Sequence, residues 1–120
     1  QLRKRQQQLF SHLTSPSQHV EIRRGYLMEN HGDYHEKGVD VQLAVDLLVD
    51  AYEDACDTFI VISSDTDLIP AIRKVRALGK HVEYIGFAHQ PSLGLQKHVT
   101  TSRLLIKEEI APFEDRSVKE

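Results

Sequence analysis

The segment ISSDTDLIP, residues 62–70, places two carboxylates, Asp65 and Asp67, one residue apart, where a β-branched run gives way to a proline. Two chemistries suit that spacing. An aspartate just ahead of a helix accepts hydrogen bonds from its free N–H groups and favours the positive end of the helix dipole. Asp67, three residues before Pro70, fits that role. The second chemistry is metal binding, because oxygen-rich acidic clusters are what Mg²⁺ and Mn²⁺ prefer. Two like charges in one turn repel unless hydrogen bonds or a cation compensate them. At this level both readings of Asp65 and Asp67 stand.

Asp40, in EKGVD at the entrance to a helical pattern, is open to the same two readings, helix cap or ligand. Asp46, Asp50 and Asp54 fall on the polar side of that helix and read as solvated. His31 and His35 have i, i+4 spacing, but Gly32 between them marks a loop, which argues against a metal pair. Arg73, Lys74, Arg76 and Lys80 form a basic surface that could meet phosphates but reads first as a solvated helix face. Cys56 has no evident partners for nucleophilic chemistry and reads as structural. Neither G-x-x-x-x-G-K nor G-x-G-x-x-G occurs, so no glycine loop offers itself to a phosphate.

These residues need elements to hold them. QLRKRQQQLFSHL at the start has helical spacing of Leu2, Leu9, Phe10 and Leu13, and TSPSQ (14–18) is a turn. HVEIRRGYLM (19–28) predicts a strand, and ENHGDYHEKG (29–38) a loop or hairpin tip. From Asp40 to Ala55 the pattern is helical, with Val41, Ala44, Val45, Leu48, Tyr52 and Ala55 on the apolar face. DTFIVISS (57–64) predicts a strand covered on both faces, followed by a helix over 67–80 that ends at Gly79. HVEYIGF (81–87) is the next strand, HQPSLG (89–94) a loop, LQKHVTTS (95–102) a short helix, RLLIKEEI (103–110) a weaker strand, and the rest a frayed tail. Alternating strands and helices with short links imply parallel strands, right-handed crossovers and helices on both faces of the sheet. Ligands bind such sheets at the strand carboxyl ends, where residues 63–67 lie.

At 120 residues the chain suits one domain, and 40% hydrophobic with 28% charged residues is ordinary globular composition. No apolar run approaches the roughly 18 residues of a membrane helix, and no signal-peptide pattern opens the sequence. A single cysteine excludes an internal disulfide framework and suits a reducing, cytoplasmic interior. The formal charge of −3 does not advertise a polyanion partner.

Residues 37–87, KGVDVQLAVDLLVDAYEDACDTFIVISSDTDLIPAIRKVRALGKHVEYIGF, closely resemble the bacterial NYN domain family, which belongs with the PIN-like nucleases and includes the LabA-like proteins. The resemblance rests on K-G-V-D, the long helix, the step Cys56-Asp57-Thr58 into a strand, and S-x-D-x-D followed by a helix ending L-G-K. It runs more weakly through 20–28 and to Phe113, so that 1–113 reads as one NYN domain and 114–120 as a tail. It implies a PIN-like three-layer α/β/α sandwich with a mainly parallel central sheet, and metal-dependent hydrolysis of RNA. Carried onto this chain, Asp40, Asp65 and Asp67 are the catalytic and Mg²⁺- or Mn²⁺-binding acids. Ser63 and Ser64 line the same turn, and Lys37 and Arg73 are candidate contacts to RNA. A cation between them lets an acidic site accept an acidic substrate.

The family's opening strand, with its own aspartate, has no counterpart from Gln1 onward. Two expectations follow: a nuclease whose opening strand lies outside this sequence, or a degenerate member acting as an RNA-binding or protein-interaction module. Without that strand an exposed sheet edge would invite a second copy, a homodimer. A phosphohydrolase on another doubly wound fold ranks behind, because its D-x-D-x-T signature is absent.

Overall fold

The computed structural model describes residues 1–115, which fall into two compact units, Gln1–Val39 and the described residues from Asp40 onward. Among the described residues no helix is long and apolar enough to cross a membrane.

The first unit holds helix α1 (Leu2–Leu13) and a two-stranded antiparallel hairpin of β1 (Tyr26–Asn30) and β2 (Asp33–Lys37). This corrects the expected strand over 19–28, since pairing begins only at Tyr26, while the segment 29–38, expected as a loop or hairpin tip, holds the tip at residues 31–32 with strand on either side of it. The link between them is His31-Gly32, whose φ values of 54° and 84° are both positive. A two-residue loop with that geometry matches the right-handed twist of the strands it joins. All ten strand residues are exposed, so no burial fixed an alternation that the sequence could display. Within this unit the Arg24 guanidinium lies 4.6 Å from the centre of the Phe10 ring.

The second unit is built on a parallel sheet in the order β3 (Thr58–Ile62), β4 (His81–Phe87), β5 (Thr101–Leu105). Helix α2 (Val39–Tyr52) leads into β3, α3 (Ile69–Ala77) links β3 to β4, and α4 (Leu93–His98) links β4 to β5. The short α5 (Lys107–Ile110) and a 3₁₀ turn, Ala111–Phe113, follow. The α/β class expected from the sequence is thus present, with a parallel sheet flanked by helices. Strand β5 and α4 both begin a few residues earlier than their sequence signals. Ser92 caps α4 through its hydroxyl, which accepts from Leu95 N–H, and Val99 ends the helix in extended backbone. The frayed tail over 111–120 is corrected for its first three residues, which form the 3₁₀ turn; 116–120 lie outside the described residues.

One apolar cluster holds the unit together: Leu47 and Ala51 of α2, Phe59 and Val61 of β3, Leu68, Ile72 and Val75 around α3, Val82 and Tyr84 of β4, and Leu95 and Val99. Phe59 and Val61 lie opposite Val82 and Tyr84 across the β3–β4 ladder, so alternate residues of the two strands share that cluster. Ile60 and Ile62, on the other side of β3, are 59% and 65% exposed, which corrects the expectation of a strand covered on both faces. A continuous apolar run satisfies a one-sided strand as well as a two-sided one.

The α2 face is also rotated from the expected one. Leu47 and Ala51 are buried and Ala44 and Leu48 pack beside them, while Val41, Val45 and Tyr52 are exposed. The helix is apolar around most of its girth, so periodicity alone chose the wrong stripe. Helix α3 stops at Gly79, whose φ of +85° makes the left-handed turn that lets Lys80 N–H reach back to the Val75 carbonyl.

Lys80 corrects its reading as a solvated charge, while Asp54 stays 79% exposed as expected and pairs with it. Asp54 follows α2 in left-handed backbone, φ 55°. Its carboxylate accepts from the Lys80 ammonium, which is only 11% exposed and also donates to Asp57 at 3.2 Å. The Lys80 hydrogen bond holds the Asp54 carboxyl below the usual carboxylate range, and the Asp54 carboxylate raises the Lys80 ammonium. The carboxylate therefore stabilises the fold above its unfolded pKa, and this is lost as pH falls through its folded value. The lysine contribution is complete below its unfolded pKa and lost as pH rises through its folded value. Scanning calorimetry of Lys80→Met against the parent chain should give the largest difference in melting temperature near pH 7, shrinking at pH 3 and at pH 11. A gap that stays constant across that range would mean the ion pair contributes nothing.

Candidate metal centre

The acidic turn is built by the way α3 starts. At the carboxyl end of β3 the chain does not enter the helix directly but makes a 3₁₀ turn, Thr66–Leu68. Asp65 caps that turn in extended backbone, its Oδ1 accepting from Asp67 N–H at 2.9 Å. The cap is therefore Asp65 and not Asp67, which stands inside the turn. This extra 3₁₀ turn moves the cap two residues upstream of where Pro70 alone suggested it. Behind Asp65, the Ser63 hydroxyl accepts from Asp65 N–H at 3.1 Å. Leu68, 1% exposed, pins the turn to the core.

Asp40 arrives from α2. That helix begins at Val39, so Asp40 lies within its first turn and not before it, and its Oδ1 accepts from the adjacent Val41 N–H at 2.9 Å. One carboxylate oxygen from each of Asp40, Asp65 and Asp67 comes within 4.8 Å of the others. Residues far apart in sequence thus meet at the carboxyl end of a parallel strand, beside two helix starts whose dipoles favour negative charge.

Among the described residues the three charges have no cationic partner: no Lys or Arg forms an ion pair with any of them, and the Asp67 carboxylate accepts no hydrogen bond. Two unit charges about 5 Å apart repel by roughly 1 kcal/mol even at the dielectric of water, so the group holds repulsion that a cation would relieve. The donor set fits a small hard ion. Oxygens about 2.1 Å from Mg²⁺ stand about 3 to 4 Å apart, and the three carboxylate oxygens here lie within 4.8 Å of one another.

The other sequence candidates are distributed differently. Ser63 and Ser64 border the turn. Arg73 is on the solvent side of α3 with Lys74, whose ammonium lies 6.0 Å from the Tyr52 ring centre. Arg76 donates instead to the His98 carbonyl at 3.0 Å. Lys37 closes β2 in the first unit, His31 sits in the hairpin turn, and Cys56 is exposed. Reading the sequence for acids alone missed the carboxyl end of β4. There Phe87, His89, Gln90 and Ser92 border a hollow, and the rule that sends ligands to strand carboxyl ends would have found them.

An acidic group at the carboxyl edge of a parallel α/β sheet is what the sequence resemblance implied. The NYN domain family matches residues 1–106, and the chain belongs to that family. A crystal structure of a protein of unknown function from Vibrio parahaemolyticus RIMD 2210633 is similar with a TM-score of 0.67 at 19% identity, over 86% of this chain and 62% of that one. The likeness is one of fold, and the present chain spans less than two thirds of that protein. No curated protein matches the chain.

Proposed function

We propose that the protein is a metal-dependent ribonuclease that hydrolyses phosphodiester bonds of RNA, with Asp40, Asp65 and Asp67 as the ligands of Mg²⁺ or Mn²⁺. The observation that carries this reading is the convergence within 4.8 Å of three carboxylates that have no cationic partner among the described residues, in a chain of the NYN family. A bound divalent ion would supply charge stabilisation for the reacting phosphate and a more acidic water. The chain's own residues have simpler tasks. Asp65, whose Oδ1 accepts from Asp67 N–H and whose own N–H donates to the Ser63 hydroxyl, fixes one ligand without needing the ion. Asp67 and Asp40 bring theirs on the first turns of separate elements, so the group closes only when α2 and α3 are both seated.

Ser63 positions Asp65 and Ser64 offers a hydroxyl at the rim. Arg73 and Lys37 are proposed contacts to the phosphodiester backbone, which positions a nucleic acid without reading its sequence. The reading is tested with end-labelled single-stranded RNA incubated with the protein in Mn²⁺, Mg²⁺ or EDTA. Cutting in either metal and none in EDTA is expected. RNA that is bound but uncut in every condition would reassign the domain as an RNA-binding module.

A further inference from the structure

Beside the acidic turn lies a hollow of about 600 Å³ between the carboxyl ends of β3 and β4. Its walls include Ser63, Ser64, Phe87, His89 and Gln90, and Tyr84 lies against it from the core. We propose that this hollow receives the base and ribose of a nucleotide next to the scissile phosphate, and so sets a base preference in single-stranded RNA. The proposal rests on the ribonuclease reading for the word scissile, but the binding it asserts does not need metal.

The volume is that of a small-ligand site, and its lining is mixed in the way a nucleoside requires. The Gln90 amide both donates and accepts, as reading a base edge demands. Ser64 carries a hydroxyl suited to ribose. The Phe87 and His89 rings have centroids 6.1 Å apart and planes tilted by 40°, so they do not stack on each other and leave faces for a base. Tyr84 is 1% exposed, and its hydroxyl accepts from Ser92 N–H at 3.1 Å, while among the described residues its own hydrogen has no acceptor. A buried donor is thus left over at the wall of the hollow. Only a glycine leaves that phenol in place, since a Cβ at Gly86 would stand 1.9 Å from its oxygen.

Hollow and acidic turn are one construction. Ser63 lines the first and holds the Asp65 backbone of the second. On the far side Gly94, two residues after the hollow's Ser92, is close enough to Thr66 that a Cβ there would meet its methyl at 3.2 Å. A base entering here must leave any stack or pair, which favours single strands.

The test is fluorescence anisotropy in EDTA with labelled U7, A7 and C7 RNA, on the 120-residue chain and on Gln90→Ala and Phe87→Ala. The parent chain should separate the three homopolymers by about fivefold in Kd. Gln90→Ala, at an exposed loop position, should bring them within about twofold of one another. Phe87→Ala should weaken all three by about fivefold or more, the usual effect of losing one stacking face. No binding by the parent chain, or the same constants and ranking in Gln90→Ala, would overturn the proposal. Because this measurement contains no metal, a hollow that reads bases in a protein that never cuts RNA would sink the nuclease reading alone. Cutting without any effect of the two variants would sink the hollow alone.

Discussion

Asp65→Asn should lower metal-dependent RNA cleavage by about 10²- to 10³-fold, the scale on which losing one electrostatic contributor acts at a reacting centre. The substitution separates charge from structure unusually well. The amide oxygen can still accept from Asp67 N–H, now 2.9 Å from Oδ1, and Asp65 N–H still has the Ser63 hydroxyl. The cap is kept while one of three negative charges is removed. In metal-free buffer the variant should therefore melt at the parent temperature or slightly above it, because repulsion with Asp40 and Asp67 is relieved.

Manganese then provides the second readout. A ligand at 100 times its Kd stabilises the folded state by about 2.7 kcal/mol, which for a domain of this size is a shift of many degrees. The parent chain should show that shift and Asp65→Asn should not. Equal shifts in both proteins, or a variant that cuts at the parent rate, would remove the acidic turn from the chemistry. A variant that melts far below the parent in EDTA would show that the turn is structural first.

How far the sequence disclosed this site depends on what held each element in place. Strand β4 spans the predicted residues, His81–Phe87, because Val82 and Tyr84 alternate into a core that also shaped the sequence. The bounds of the hairpin strands were missed because none of their residues is buried, and the strong signal there is the His31-Gly32 tip, which falls inside the expected segment. The acids were legible as types and spacing, and the carboxyl-end rule located the turn. Their meeting was not: that Asp40 reaches Asp65 and Asp67 depends on α2 seating by Leu47 and Ala51 and not by the Val41–Val45–Tyr52 stripe its periodicity suggested. The shift of the cap from Asp67 to Asp65 likewise follows from a 3₁₀ turn that has no strong sequence signature.

The site should also fail from a distance when the core beneath α3 is opened. Ile72 is 1% exposed on α3, in the cluster with Val61, Leu68 and Tyr84. Ile72→Ala removes buried methyl and methylene groups and leaves a cavity, which costs about 2–5 kcal/mol. Domains commonly have only about 5–15 kcal/mol in hand. Urea unfolding should show a midpoint lowered accordingly at unchanged slope, since the surface exposed on unfolding hardly changes. The control is the same residue type on the open side of β3. Ile60, 59% exposed, has little to lose, and Ile60→Ala should cost under about 1 kcal/mol. Because Leu68 and Ile72 seat the elements that carry Asp67, manganese stabilisation should also weaken in Ile72→Ala and persist in Ile60→Ala. Equal costs for the two substitutions would mean that the outer side of β3 is covered in solution, and the acidic turn would then have to be judged with whatever covers it.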